Sequence, residues 1–182
     1  MGNKKINNNQ RSPIHLEHYL NIGSYYDEIL SRIGRDPTLQ EYINDESFFI
    51  SKEPGISYVT EQICPQITKN RIPIVLLFSN PHPNSLLKGI FLSSVRRFWE
   101  SMKNSGMLNF GSFIYPPTTE TMNQLLNLEY DSEFAFYFYC FFDFPSKFPK
   151  QLPEFFGEEF FNKRYLKKSY CELSRFLDLC RA

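Results

Sequence analysis

The chain has 182 residues, with Lys+Arg 20 against Asp+Glu 20 for a formal net charge of zero, and it is 42% hydrophobic and 17% aromatic. So much apolar surface excludes wholesale disorder, and the length suits one domain with a proper core. Zero net charge removes any bulk electrostatic case for nucleic-acid binding and leaves only a local patch open. The polar start has no basic-plus-apolar leader, and Ile6 stands where a myristoylation signal carries Ser or Thr. The longest apolar tract, Phe134 to Phe142, is about half the length that spans a bilayer. The chain therefore reads as soluble and cytoplasmic, with no membrane partner. Cys64, Cys140, Cys171 and Cys180 form no C-x2-C pair, which points to ordinary thiols and to no metal or other cofactor.

In chain order, residues 1–12 read as a flexible, Asn-rich tail ahead of a single α/β domain over 13–182. Pro13 to Gly34 reads as helical, with Leu16, Leu20, Ile29, Leu30 and Ile33 apolar and Gly34 as the stop. A short helix follows over Leu39 to Ile43, then a mixed region over 44–71. The continuous apolar run Ile72 to Phe78 predicts a strand buried on both faces, with Pro73 tolerable only near its start. Residues 79–92 hold two prolines around His82 and read as a loop. The next helix is capped by Ser93 or Ser94, carries Val95, Phe98, Trp99 and Met102 on one face, and closes at Gly106. Another helix runs from Thr118 or Thr119 to about Leu128, and Phe134 to Phe144 forms a second buried strand. The last helix spans about 158 to 180, with Leu166, Tyr170, Leu173, Leu177 and Cys180 on one apolar face. Two strands are few for a doubly wound sheet, so the sheet reads as incomplete at its C-terminal side.

Chemistry concentrates after the first of these strands. In open α/β sheets, ligands bind beyond the carboxyl ends of the strands, which is where Asn80 falls. Pro81 holds Asn80 extended, so its carboxamide has a fixed direction and suits orienting a water or reading a base edge. Asp143, past the second strand, would lie at the same sheet edge, in place for a polar pocket. The stretch Ser79-Asn80-Pro81-His82, then Gly89-Ile90-Phe91, then Arg96-Arg97-Phe98-Trp99 resembles the first motif of the uracil-DNA glycosylase superfamily, especially its mismatch-specific and single-strand-selective branches. That motif is a strand ending in Gly-x-Asn-Pro-Gly, a loop with Gly and Phe, and a helix entered near Asn-Arg-Phe-Trp.

The resemblance implies a three-layer α/β fold with a central, mostly parallel sheet and metal-free hydrolysis of an N-glycosidic bond in DNA. It implies that Asn80 positions the attacking water, that Phe91 stacks on the extruded base, and that Ser79, Pro81 and His82 border the base. Arg96 and Arg97, and Lys163 and Lys167 on the last helix, are the corresponding DNA-contact candidates; for the lysines a solvated helix face is the competing reading. Phe78 and His82 replace the motif's glycines, and Arg96 replaces its Asn. His15, His18 and His82 are the only histidines, so the family's late His-Pro-Ser loop has no counterpart. The rival expectation is an inactive or truncated member that acts as a binding protein, its open sheet edge inviting dimerisation.

Overall fold

A computed structural model describes residues 12–65, 70–111 and 115–181. The expected tail lies outside them except for Ser12, whose hydroxyl donates to the Gly89 carbonyl at 2.8 Å. The segment expected to be one N-terminal helix begins instead as a strand, β1 (His15–Asn21). Leu16 and Leu20 are four apart, a spacing that fits one helical turn and equally fits two pleats of a strand. His18 falls between them on the same face, and the helix α1 (Tyr26–Ile33) starts only after Gly23 has turned the chain at φ +52. After α2 (Gln40–Ile43), the mixed region resolves into β2 (Phe49–Lys52) and β3 (Gly55–Glu61). These three strands form an antiparallel sheet in the order β1-β3-β2.

The run Ile72 to Phe78 forms β4 (Ile72–Phe78), and Phe134 to Phe144 forms β5 (Phe134–Cys140), shorter than expected because the chain leaves the ladder after Cys140. The two pair in parallel from Ile72 opposite Phe134 to Phe78 opposite Cys140. β5 is interior: its far side meets Ile63, whose backbone exchanges two hydrogen bonds of 3.0 Å with Phe138. That bridge joins the parallel pair to the segment leaving β3. β4 is not buried on both faces. Among the described residues its outer edge has no partner, and Ile72 and Leu77 are 55% and 53% exposed. Ile72 donates toward β5, to the Glu133 carbonyl, so the next residue, Pro73, turns its hydrogen-less nitrogen outward and costs no ladder bond.

The loop expected over 79–92 contains α3 (Pro83–Lys88). The two prolines signalled a loop, yet Pro83 at the first helical position is pre-set for a helix, and Gly89 ends it at φ +63. α4 (Arg96–Asn104) starts after Val95 with no side-chain cap, so neither Ser93 nor Ser94 serves, and Val95 is exposed. α5 (Thr119–Asn127) is capped reciprocally by Thr118 and Thr121. The last helical stretch is divided: α6 (Leu152–Phe156) and α7 (Glu158–Phe160) lead into a π-helical turn over Phe161–Tyr165, then α8 (Leu166–Arg181). Tyr170, expected on the buried face of α8, is 61% exposed and meets the edge of Phe141.

Three hydrophobic clusters hold these elements. Ile74, Leu76, Phe78, Phe136 and Phe138 pack with Phe98 and Trp99 of α4 and Met122 and Leu125 of α5. The opposite face, with Val75, Tyr137 and Tyr139, packs with Leu173, Phe176 and Cys180 of α8. A third cluster lies between the antiparallel sheet and α1, α2 and α6. The result is a mixed α/β fold with helices on both faces of a small parallel sheet. No helix among the described residues is long and apolar enough to cross a membrane.

Candidate functional site

The ends of β4 and β5 are stitched together by backbone hydrogen bonds. Phe141 N–H donates to Phe78 O and Phe142 N–H to Ser79 O, both at 2.8 Å, and Ser146 N–H donates to Pro81 O at 3.1 Å. Asn80 sits within this weave. Its Nδ2 donates to the Ser146 carbonyl at 2.7 Å, to Ser146 Oγ at 3.0 Å and to the Pro81 carbonyl at 3.0 Å. Carbonyl oxygens only accept, so these contacts fix which end of the carboxamide is nitrogen. Oδ1 accepts no hydrogen bond among the described residues, and the residue is only half-buried. Ser146 is fully buried and held in turn by its Oγ donating to the Phe148 carbonyl at 3.0 Å. It is 66 positions from Asn80, so local pattern carried no sign of it.

Ser79 is exposed and Pro81 buried. His82 caps α3, its Nδ1 accepting from Asn84 N–H at 3.2 Å. That bond places the ring proton on Nε2 in the neutral form. Burial, and then the nearby Lys147 charge, push the His82 imidazole down from its ordinary value and favour that neutral form. Beside a strand-end asparagine, His82 is therefore a neutral N–H donor.

Phe91 is elsewhere. Its ring is 0% exposed, between Phe78 at 5.2 Å and Phe138 at 5.3 Å, so it has no open face for a base. Arg96 is exposed and paired with Glu100 at 2.6 Å, and Arg97 is exposed. Lys163 pairs with Glu159 at 2.9 Å from the π-helical turn, and Lys167 is exposed on α8. The two basic pairs stand on separate elements.

Asp143 does lie at the same strand ends as Asn80, but it faces a network that the sequence did not disclose. It is buried, and its two oxygens take Tyr165 OH at 2.7 Å, His18 Nδ1 at 2.9 Å and the Lys168 ammonium. Lys168 also donates to Glu172 at 3.1 Å, and Tyr165 OH accepts from Phe144 N–H at 2.8 Å. Burial alone would raise the Asp143 carboxyl, yet the His18 hydrogen bond and the Lys168 charge hold it well below the usual carboxylate range. Burial, then the Asp143 charge, push the Tyr58 and Tyr165 phenols well up. His18, Asp143 and Glu172 have donor atoms within 4.8 Å of one another, a spacing that suits a metal ion. The Lys168 ammonium already stands among them, bonded to both carboxylates, so the donor set does not fit a further cation.

Glu61, the last residue of β3, is a second buried carboxyl, 2% exposed, and its Oε2 has no hydrogen-bond partner among the described residues. It stands opposite His15 across the ladder. Burial raises it well above 4.5. A folded-state value raised in this way confers stability that is whole below about 4.5 and is lost as pH rises toward the folded value. The expected slope reaches at most about 1.4 kcal/mol per pH unit, and Glu61→Gln removes it. Urea melts at pH 5, 6, 7 and 8 check this; an equal slope in the variant would show that Glu61 is not its source.

Compared with protein-family models, curated proteins and solved structures, the chain matches none of them.

Proposed function

We propose that this chain is a uracil-DNA-glycosylase-like protein that excises uracil or another damaged base from DNA by hydrolysing its N-glycosidic bond. One observation carries the reading. Asn80 stands beyond a parallel strand with its amide nitrogen anchored to Ser146 and Pro81 and its oxygen unengaged. An asparagine oxygen is too weak a base to take a proton outright, so its contribution is to align a water on the sugar carbon. The C–N bond breaks as the water oxygen bonds to the sugar carbon, and the water's proton passes to solvent. The base leaves as an anion, for which the Nε2–H of a neutral His82 and the charge of Lys147 supply local stabilisation. Base extrusion from DNA then brings the reacting carbon to the strand ends. Phosphate contacts fall to the exposed Arg97 and Lys167, with Arg96 and Lys163 available once freed from their surface carboxylates.

The test is release of free base from oligonucleotides carrying uracil opposite G, opposite A and in single strands. Asn80→Ala is expected to slow release about 100- to 1000-fold. Release at the wild-type rate in the variant would take Asn80 out of the mechanism. The buried Phe91 ring supports a second reading, an inactive relative that binds without cleaving. No release by a folded wild-type sample would favour that reading.

A further inference from the structure

A cleft of about 780 Å3 opens between the start of β1, the segment after β3 and the second half of α5. None of its lining residues belongs to the loops that carry Asn80 and Asp143, so it is a separate site. Its size is within the range of small-molecule pockets. Asn123 and Asn127 are one turn apart on α5, so they share the helix face that lines the cleft. Neither makes a side-chain hydrogen bond among the described residues. Gln62 lines the cleft from the segment after β3, its carboxamide within hydrogen-bonding reach of the Cys64 thiol. Leu16 and Leu126 give apolar lining.

Charge narrows the ligand. Among the described residues no lysine or arginine lines the cleft; its histidine, His15, has Nε2 on the Leu86 carbonyl at 2.9 Å, and its one carboxylate is the exposed Glu129. A phosphate or carboxylate would meet the Glu129 anion with no lysine or arginine among the described lining residues to offset it. Three carboxamides offer neutral donors and acceptors in pairs, which match the edge of a heteroaromatic ring carrying both. A carboxylate beside them accepts hydrogen bonds from sugar hydroxyls. We infer that this cleft binds an uncharged nucleoside, with the base on Asn123, Asn127 and Gln62 and the ribose on Glu129. The inference stands independently of the reading of Asn80.

The test is titration of the 15N-labelled full chain with adenosine, uridine and adenosine monophosphate, followed by two-dimensional NMR. Saturable shifts in the side-chain amide signals of Asn123, Asn127 and Gln62 are expected with at least one nucleoside, with binding about tenfold weaker for the monophosphate. Asn123→Ala/Asn127→Ala on the helix and Gln62→Ala across the cleft are each expected to weaken binding about tenfold or more. Asn80→Ala leaves it unchanged. Signal dispersion shows whether each variant is folded, and the Gln62 variant serves where the double variant is not. The inference is overturned if neither nucleoside gives saturable shifts, if the shifts fall around Asn80 instead, if the monophosphate binds as tightly, or if the folded variants bind as the wild type does.

Discussion

Replacing Asp143 with alanine is expected to destabilise the fold by about 3–5 kcal/mol, the usual cost of removing one partner from a buried ion pair. The cost is not the attraction itself. It comes from what the substitution leaves behind: the Lys168 ammonium, with a side chain only 20% exposed, keeps Glu172 but loses its closer carboxylate. His18 Nδ1 loses its closer partner and keeps only Glu172, at 3.8 Å, and Tyr165 OH keeps only the Phe144 N–H. The residues come from β1, β3, the loop after β5, the π-helical turn and α8, so the network clamps the antiparallel sheet to the last helix. For a chain of this size the loss corresponds to a melting temperature lower by about 6–20 °C. Adding Lys168→Met to the alanine variant removes the stranded charge and is expected to recover a large part of the deficit. Acid titration gives an independent sign. Asp143 is held below its unfolded value, so its stabilisation is present above about pH 4 and is lost as pH falls through the folded value. Asp143→Asn is expected to flatten that acid limb. A melting temperature for Asp143→Ala within about 2 °C of the wild type would remove the clamp from the account of this fold.

What the sequence disclosed and what it hid follow from the range of each interaction. β5 was legible because an unbroken run of aromatics can be buried only with neighbours on both faces, and α5 because Thr118 caps it within one turn. α4 was legible in its buried face, since Phe98, Trp99 and Met102 all pack inward. β1 was misread because a four-residue apolar spacing serves helix and strand alike, and nothing local says that Gly55 to Glu61 will pair with it. β4 showed its strand but not its open edge, because an apolar run does not say how many neighbours it will find. At the candidate site, Asn80 was legible from its place before Pro81, whereas Ser146, which fixes it, lies 66 positions away. Lys168 follows the exposed Lys167 directly in the chain, yet it turns inward because Asp143 and Tyr58, 25 and 110 positions off, are brought to it by the fold. Phe91 was placed by motif on an open loop, but Phe78 stands where the motif has glycine, and its ring meets Phe91 at 5.2 Å.

That last contact belongs to an aromatic cluster centred on Phe138, and Phe138→Ala is expected to cost about 3–5 kcal/mol. Phe138 is 0% exposed, with Phe91, Phe98 and Phe78 at 5.3, 5.6 and 5.9 Å between centroids and Trp99 at 6.1 Å. Two of these pairs, with Phe91 and Phe98, are edge-on, which adds to what the buried area of the rings contributes. Deleting the ring leaves a cavity whose walls come from four segments, β4, the loop before α4, α4 and β5, and no single one of them relaxes to fill it. Phe138→Leu keeps much of the volume and is expected to cost clearly less, so the difference between the two variants reports the cavity and not the backbone. The Ile63 bridge is a main-chain contact and survives both substitutions. The alanine variant also bears on function. With Phe138 gone, Phe91 loses one of the two rings that cover it most closely. A gain of base release or of oligonucleotide binding in the folded alanine variant would identify the packed Phe91 as a barrier to the strand-end site. Unchanged behaviour with the expected loss of stability would assign the cluster to the core alone, and a destabilisation below about 1 kcal/mol would show that the walls close over the gap after all.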